Sequence, residues 1–356
     1  MRMYKLLSLS LVIYFLFIGI SGCNKSKNNL FYSSFPNNIS LLGKALETDS
    51  IMLRYPFRIK HHDSLAIIMD LHHPDYFYHA FSYPQFKYLS SFGKRGQAPE
   101  GYLSVENFRL AGKEIWGLDA NKSRIKKISL QSVDEGKEKA TKKIALNKDI
   151  IRALDFALYN DSCFIIPDYS GKRRFHIIDK NGNIKSGHGK IPTLKHKSKD
   201  IALAQAWRSF IDYNPDNGIL AMATQLGEVL EIYNLKDSTH IVKIGPHGEP
   251  EYNETGGMAI PVGIMGYSDI HVGNDAIYTV FWGTSFKEIQ KDPFNTPQGG
   301  NIIQVFSLDG KPVKQYVLDR HITGFSFDEK NGKMIALDVN SDHQIIEYQL
   351  SLNSTK

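Results

Sequence analysis

Cysteine is scarce in this sequence. Only Cys23 and Cys163 are present, which excludes a small fold held together by several disulfides. A strong excess of charge is also lacking, because 43 Lys and Arg stand against 37 Asp and Glu and leave a net charge of +6. Loss of Arg2 and Lys5 with a leader peptide would lower that value by two, to +4. No basic run with interleaved aromatics occurs, so nucleic acid is not a predicted partner.

Recognisable catalytic signatures are lacking as well. The chain has no zinc signature, phosphate-binding loop, G-x-S-x-G elbow or catalytic Cys/His pairing, so we predict no cofactor and no metal. The histidines concentrate at His61-His62, His72-His73 and His79. The two pairs flank one predicted strand and should lie on opposite faces of the domain, which favours exposed turn histidines over converging metal ligands.

Long apolar runs are absent except at the N-terminus, where Leu6–Ile20 follows the cations Arg2 and Lys5. This pattern is typical of a secretory signal, and the run is shorter than the roughly 20 residues of a membrane span. The sequence Ser21-Gly22-Cys23 that follows resembles the lipobox of bacterial lipoproteins. The resemblance implies a signal peptide over residues 1–22, lipidation of Cys23 and a membrane partner reached through that lipid. An ordinary signal peptide and an uncleaved anchor are the alternatives.

Polar residues without periodicity follow the lipobox, and we interpret residues 23–37 as a lipidated tether. Asp is missing after Cys23, which by the same resemblance favours the outer membrane. An acidic cluster is missing too, which favours a periplasm-facing protein over a surface-exposed one. If Cys23 is acylated, Cys163 has no disulfide partner. Its apolar surroundings then predict a buried small hydrophobe, with a reactive thiol as the alternative.

Helical periodicity is missing from the last third of the chain, where apolar strands alternate with turns such as Asp309-Gly310 and Asn331-Gly332. Six similar apolar strands start 48 to 58 residues apart; they are Leu65–Asp70, Ile115–Asp119, Cys163–Asp168, Ile219–Thr224, Ala276–Trp282 and Met334–Asp338. This period predicts an all-β fold, a single six-bladed β-propeller of four-stranded antiparallel blades over residues 38–356. The last blade lacks its outer strand, and we expect the N-terminal strand Ile39–Glu47 to complete it.

Three sequence segments resemble those of a known family: Ser91–Tyr102, Tyr267–Gly283 and Ile302–Leu337. They resemble the TolB-like six-bladed propeller lipoproteins of Bacteroides and relatives. The resemblance implies the fold, and it brings no activity or catalytic residue with it. The pattern G-x-x-G-x-x-P at Gly93–Pro99 is similar to the segments between blades in NHL-type propellers.

The two faces of such a propeller differ in the length of their connections. One face, here the long-loop face, receives the connections between blades and the loops between second and third strands; its long segments are Gly93–Ser104, Gly187–Lys199, Gly245–Gly263 and Gly283–Gly300. The opposite, short-turn face receives tight turns such as Asn181-Gly182 and Asn217-Gly218. Long loops on a rigid scaffold commonly carry function, so we predict that the long-loop face binds the partner.

Arginine and aspartate recur at a fixed spacing on that face. Four second strands end in Asp70, Asp119, Asp168 and Asp338. Arg54 and Arg152 lie 16 residues before Asp70 and Asp168, and Arg320 lies 18 residues before Asp338. Arg208 lies 16 residues before Thr224, which stands in place of Asp in that blade. One interpretation is a ring of guanidinium groups that binds a carboxylate or phosphate. The other is that each Arg pairs with the Asp of its own blade, which also caps a turn. Trp282 ends the second strand of the fifth blade. We interpret it either as a stacking surface for a ligand or as a residue that packs between blades.

Two functional hypotheses follow. The first is a lipid-anchored, non-enzymatic binding or scaffolding module that engages an envelope protein or small ligand through the long-loop face. The second is an enzyme with a site in the channel mouth, a hydrolase, lactonase or lyase, for which the four strand-end Asp residues would supply metal ligands or acid–base groups. The lack of a catalytic constellation favours the first hypothesis. A glycan-binding interpretation depends only on Trp282 and the aromatic content.

Overall fold

The structure is a computed structural model that describes residues 30–48, 51–134, 140–195 and 201–350. The predicted signal peptide, Cys23 and most of the predicted tether lie outside these residues. Two short N-terminal strands, β1 (Asn38–Leu41) and β2 (Lys44–Leu46), precede the first blade.

Six antiparallel sheets follow one another along the chain and form the blades. Blade 1 contains β3 (Pro56–His62), β4 (Leu65–Asp70), β5 (Tyr76–Ser82) and β6 (Tyr88–Lys94). Blade 2 contains β7 (Val105–Ala111), β8 (Glu114–Asp119), β9 (Arg124–Ser129) and β10 (Ala140–Ala145). Blade 3 contains β11 (Ala157–Asn160), β12 (Cys163–Pro167), β13 (Phe175–Asp179) and β14 (Ile184–His188). Blade 4 contains β15 (Ser209–Asn214), β16 (Ile219–Thr224), β17 (Val229–Asn234) and β18 (Thr239–Ile244).

A small hairpin, β19 (Tyr252–Thr255) and β20 (Met258–Pro261), separates blade 4 from blade 5. Blade 5 contains β21 (Tyr267–Val272), β22 (Ala276–Phe281), β23 (Gly300–Ser307) and β24 (Pro312–Ile322), and blade 6 contains β25 (Gly324–Asp328), β26 (Lys333–Leu337) and β27 (Ile345–Gln349). The described helices are short: α1 (Leu130–Asp134), α2 (Ile201–Ala206) and α3 (Phe286–Lys291). None of them has the length and apolarity that a membrane crossing requires.

The second strands are apolar along their whole length because both faces of each blade are covered. Every residue of β12 and of β16 is buried. Six separate core clusters are present, and each combines residues of two neighbouring blades. The blades are therefore held together by packing between adjacent sheets, which explains why the second strands read as continuous hydrophobic runs.

The ring closes as the sequence predicted, with an unexpected division of the N-terminal strand. β2 pairs antiparallel with β27 and supplies the fourth strand of blade 6, while β1 pairs parallel with β24 and becomes a fifth strand of blade 5. The strand predicted over residues 39–47 therefore breaks at Leu42 and Gly43. A Cβ atom at Gly43 would lie 2.4 Å from Ile346 Cγ2, so only glycine permits this close approach.

The end of the predicted tether belongs to the propeller. Phe31 forms a parallel bridge with Ile244 of β18, and Phe35 is buried with its ring centroid 5.1 Å from that of Phe306. The hydroxyl of Tyr32 donates to Glu228 Oε1 at 2.8 Å. The aromatic residues of this segment explain the difference from the prediction, because they bury apolar area between blades 4 and 5.

Candidate functional site

The four strand-end aspartates are buried, and they bind backbone N–H groups of the connections on the long-loop face. Asp70 accepts four of these bonds at 2.6 to 3.1 Å, from Arg54, Tyr55, His72 and His73. Asp119 accepts from Leu103, Ser104 and Lys122 at 3.1 to 3.2 Å. These carboxylates fix the start of an inner strand to the loop that follows the second strand.

Asp168 and Asp338 also cap the loops that follow their strands. Asp168 accepts from the N–H groups of Ser170 at 2.8 Å and Arg173 at 2.7 Å. Burial alone would raise the pKa of Asp168, but hydrogen bonds from His176 and Ser170 lower that pKa to about 2. Asp338 accepts from the N–H of Asn340 at 2.8 Å. All four carboxylates thus have hydrogen-bonded roles within the scaffold.

The four predicted arginines have different environments. Arg320 Nη1 lies 3.5 Å from Asp338 Oδ2, as the spacing suggested, but Arg320 belongs to β24 of blade 5, so this pair joins blades 5 and 6 and does not lie within one blade. Among the described residues, Arg320 is the one predicted arginine whose guanidinium pairs with a strand-end aspartate. Arg54 contacts Asp70 through its backbone N–H instead. The side chains of Arg54 and Arg152 are exposed. Arg208 is half-buried, and no described residue accepts a hydrogen bond from its buried Nε.

Trp282 and the histidines complete the predicted set. Trp282 is half-buried, and its backbone N–H donates to the carbonyl oxygen of Gly266 at 2.9 Å. His61 and His62 end β3, whereas His72 and His73 follow β4 at the other end of that hairpin. Within the described parts of the chain, no group of three or more His, Cys, Asp or Glu side chains is placed to hold a metal ion.

Two other arginines occupy the central channel, and the sequence analysis missed both. Arg58 is fully buried, and its guanidinium contacts four blades. Its Nη atoms donate to the carbonyl oxygens of Ser268 at 2.7 Å and Thr323 at 3.0 Å, and its Nε lies 3.5 Å from Asp269 Oδ1. The guanidinium carbon also lies 3.9 and 4.4 Å from the ring centroids of Phe57 and Phe210.

Arg109 has the same role on the other side of the channel. Its Nη2 donates to Asp155 Oδ1 at 3.0 Å and to the carbonyl oxygen of Ile211 at 2.7 Å. Asp155 is fully buried, and burial raises its pKa although Arg109 lowers it. Arg58 and Arg109, each beside a carboxylate, therefore fill the interior of the channel with paired charge.

The same aspartates link the inner strands of successive blades. Asp155 Oδ2 accepts from the N–H of Ile211 at 2.9 Å, Asp212 Oδ2 from Val272 at 2.8 Å, and Asp269 Oδ2 from Phe325 at 3.0 Å. A sequence signal for this arrangement exists. The pairs Asn107-Phe108, Asp155-Phe156 and Asp269-Ile270 each place a polar residue before a buried one at the start of an inner strand.

A large cavity opens at the channel mouth on the short-turn face, opposite the predicted binding face. Its volume is about 940 Å³. The inner strands of all six blades contribute to its wall near their C-terminal ends, including Lys60, Leu110, Tyr159, Tyr213, Val272 and Phe327. This cavity is in the size range of small-molecule sites.

The long-loop face itself carries most of the exposed apolar side chains. Twelve large hydrophobic residues of the described chain are exposed, and nine of them lie on the long-loop face: Met52, Leu103, Ile151, Leu194, Ile201, Met258, Ile260, Val262 and Phe294. Phe294 is 97% exposed. The other three lie on the outer rim of the blades. The exposed apolar side chains of the described chain are therefore distributed unevenly between the two faces.

The loops of this face are pinned in place. Lys122 Nζ donates to the carbonyl oxygens of Gly96, Ala98 and Gly101 at 2.7 to 3.1 Å. The Glu249 carboxylate accepts from Thr193 Oγ1 and from the Leu194 N–H, each at 2.7 Å. Such bonds hold these long loops in one arrangement.

Comparison with solved structures reveals the same fold at low sequence identity. A Bacteroides vulgatus member of the DUF4221 family is similar with a TM-score of 0.59 and 13% identity, over 87% of this chain and 96% of that chain. An exported-protein candidate from Bacteroides fragilis is similar with a TM-score of 0.56 and 11% identity, over 89% of this chain and 98% of that one.

A streptogramin B lyase structure is similar with a TM-score of 0.50 and 14% identity, over 87% of this chain and 97% of that chain. At these identities the likeness concerns the fold alone. No curated protein matches the sequence significantly. The profile of the TolB-like 6-blade propeller-like family matches residues 34–330, which confirms the resemblance drawn from the sequence. This chain belongs to the TolB-like six-bladed propeller family.

Proposed function

We propose that this chain is a lipid-anchored envelope protein that binds a protein partner through its long-loop face, without catalysis. The observation that carries the proposal is the concentration of nine of the twelve exposed large hydrophobic residues on that face. Apolar side chains scattered singly over a surface need no explanation, whereas a group on one face is costly in water unless something covers it.

A protein is the partner that this face fits best. The apolar residues are spread over six connections, and the exposed Arg54 and Arg152 lie among them. Exposed apolar side chains together with arginine are typical of the composition of a protein interface. The pinned loops favour binding too, because little ordering entropy is lost when a preformed surface is covered.

The geometry gives the enzyme alternative little support. A hydrolase, lactonase or lyase at the channel mouth would need carboxylates that are free to hold a metal or transfer a proton. Asp70 and Asp119 are instead engaged by backbone N–H groups, and Asp338 lies beside Arg320. A carboxylate with such partners is a poor ligand and a weak base.

Photo-crosslinking in cells tests the partner surface directly. We expect a photoreactive residue at Met258 or Phe294 to give one discrete protein adduct, and the same residue at the rim position Leu89 to give none. The double change Met258→Asp/Ile260→Asp should reduce the adduct formed at Phe294 by tenfold or more, whereas Leu89→Asp should not. Equal adducts at all three positions, or none at all, would contradict the proposal.

Fractionation tests the anchor separately. Cys23→Ser should release the protein from the outer-membrane fraction, because the acyl chains on Cys23 are the proposed membrane contact. The matched change Cys163→Ser, at a buried residue, should leave the protein in the membrane fraction. Protection from protease added to intact cells would support the periplasm-facing orientation, and digestion would support surface exposure.

A further inference from the structure

The cavity at the short-turn face is separate from the proposed partner surface, and it has two connected parts. The first part is the channel mouth, bounded by Lys60, His61, Ser326 and His271. The second part is lined by residues of blades 2 and 3, among them Trp116 and Phe164. The two parts of the cavity therefore differ in the chemical character of their lining.

The part between the blades is apolar and aromatic. Trp116 and Phe164 contact each other edge to face with ring centroids 5.2 Å apart. Tyr159 and Tyr213 lie together at 5.4 Å between centroids, where blades 3 and 4 meet. Leu158 adds to the same wall. These side chains offer a surface for an apolar or aromatic group.

The inner end of the cavity is closed. Arg109 lines the cavity while its guanidinium remains bonded to Asp155 and to the carbonyl oxygen of Ile211. Arg58 lies among the channel residues outside the cavity lining and is fully buried. The cavity is thus a blind pocket, closed at its inner end and open to solvent at the short-turn face.

Positive charge predominates among the lining groups that have no partner. Within the described chain, Lys60 and Lys142 form no ion pair or hydrogen bond through their ammonium groups. The carboxylate of Glu114 is bound to Lys127, and that of Asp212 accepts the Val272 N–H at 2.8 Å and lies 3.6 Å from His271 Nδ1.

The remaining lining carboxylate, Asp161, is exposed in the turn at the rim. The interior therefore holds an ammonium group without a counterion at the channel mouth, next to an apolar groove. An ammonium group in such a setting attracts an anion more strongly than it would in open water, because the surrounding dielectric is lower.

We propose that this cavity binds an amphipathic organic anion. Its apolar body lies against the wall formed by Trp116, Leu158 and Phe164, and its carboxylate or phosphate lies at the channel mouth near Lys60. The volume of about 940 Å³ is at the upper end of the range for drug-sized ligands, so the ligand has a body of several rings or an acyl chain. Its acidic group distinguishes this ligand from a neutral lipid or a neutral glycan.

Two fluorescent probes of nearly the same shape test the proposal on the full chain with Cys23→Ser. One is the anionic 8-anilinonaphthalene-1-sulfonate, and the other is its neutral relative N-phenyl-1-naphthylamine. We expect the anionic probe to bind at one site per chain and more tightly than the neutral one. The change Ala111→Trp, at an exposed position on the cavity rim, should weaken both probes at least tenfold by filling the groove.

Charge is tested by Lys60→Gln. We expect roughly tenfold weaker binding of the anionic probe, the effect of losing one charge-assisted hydrogen bond, and less than twofold change for the neutral probe. Lys148→Gln, at an exposed lysine outside the cavity, is the matched control and should change neither probe. Met258→Asp/Ile260→Asp should also change neither, which separates this site from the partner surface.

The outcomes are distinct. Binding that persists unchanged in Ala111→Trp, or equal weakening of both probes by Lys60→Gln, would overturn the proposal, as would no saturable binding to the parent chain. If Ala111→Trp lacks the far-ultraviolet circular dichroism and the cooperative thermal unfolding of the parent, Pro215→Trp blocks the cavity from its opposite rim with the same expectation. A neutral probe that binds as tightly as the anionic one would refute the anionic class.

Discussion

The buried guanidinium of Arg58 allows a stability prediction that tests whether the channel interior is a coupled charge network. The side chain is fully buried and donates to carbonyl oxygens of Phe57, Ser268 and Thr323 at 2.7 to 3.0 Å. Asp269, itself 3% exposed, supplies the opposite charge at 3.5 Å. Removing one member leaves the other charged and without compensation in a low dielectric.

We expect Arg58→Met to lower the free energy of unfolding by about 3–5 kcal/mol, because it leaves the Asp269 carboxylate unpaired and two interblade carbonyl groups without a donor. Asp269→Asn should lower it by a similar amount, because the buried cation then has no counterion. The double variant should lose at least about 1 kcal/mol less than the sum of the single losses, as expected for residues in contact. Urea unfolding, with reversibility verified by refolding, measures all three values.

The matched control is Arg54→Met, which removes an exposed guanidinium in the same blade. It should change the free energy of unfolding by no more than about 0.5 kcal/mol. A loss below about 1 kcal/mol for Arg58→Met, or additive losses in the double variant, would refute the reasoning, because the channel charges would then be independent of one another.

Three further predictions concern individual polar groups. Burial and the neighbouring His73 lower the pKa of His79 to about 4, below its usual 6.5, so the unfolded chain binds the extra proton first. Stability should fall by up to about 3 kcal/mol from pH 6.5 to pH 4, and His79→Gln should flatten that slope in unfolding measured against pH. Asp70→Asn should cost about 2–4 kcal/mol through weakened bonds to four N–H groups, whereas Asp63→Asn, at an exposed carboxylate, should be near neutral in the same assay. Tyr32→Phe should cost about 1–2 kcal/mol in thermal unfolding by removing the hydroxyl that donates to a buried carboxylate, and an unchanged midpoint would mean that the segment contributes only apolar contacts.

Much of the fold could be predicted because each strand and turn depends on residues that are close together in the sequence. The strands predicted at Leu65–Asp70 and Ile219–Thr224 agree with β4 and β16 at both ends. Turn residues explain the precision: Asn-Gly and Asp-Gly sequences permit the positive φ that the turn needs, as at Gly182 with φ of +84°. The N-terminal strand was harder to predict, because its division at Gly43 depends on the side chains of Ile346 and Tyr348, about 300 residues away.

The candidate site could be predicted only in part. The spacing identified Asp70, Asp119, Asp168 and Asp338 as a related set, and the structure places each of them at the end of its strand, bonded to backbone N–H groups. The spacing could not identify which atoms they bind. Backbone N–H groups engage these carboxylates more often than guanidinium groups do, and a residue-type pattern contains no signal for a backbone donor.

The sequence by itself determined the alternation of strands and turns, the number of blades and the short range of each hairpin, because these depend on residues a few positions apart. Only the tertiary structure decided which charges meet in the channel and where the cavity opens. Arg58 contacts Asp269 across 211 positions, and Arg109 contacts Asp155 across 46. Such pairs form when the ring closes and brings distant inner strands to one axis. Short-range sequence patterns thus specify the blades. Closure of the ring creates the buried charge network in the channel and the blind pocket at the channel mouth.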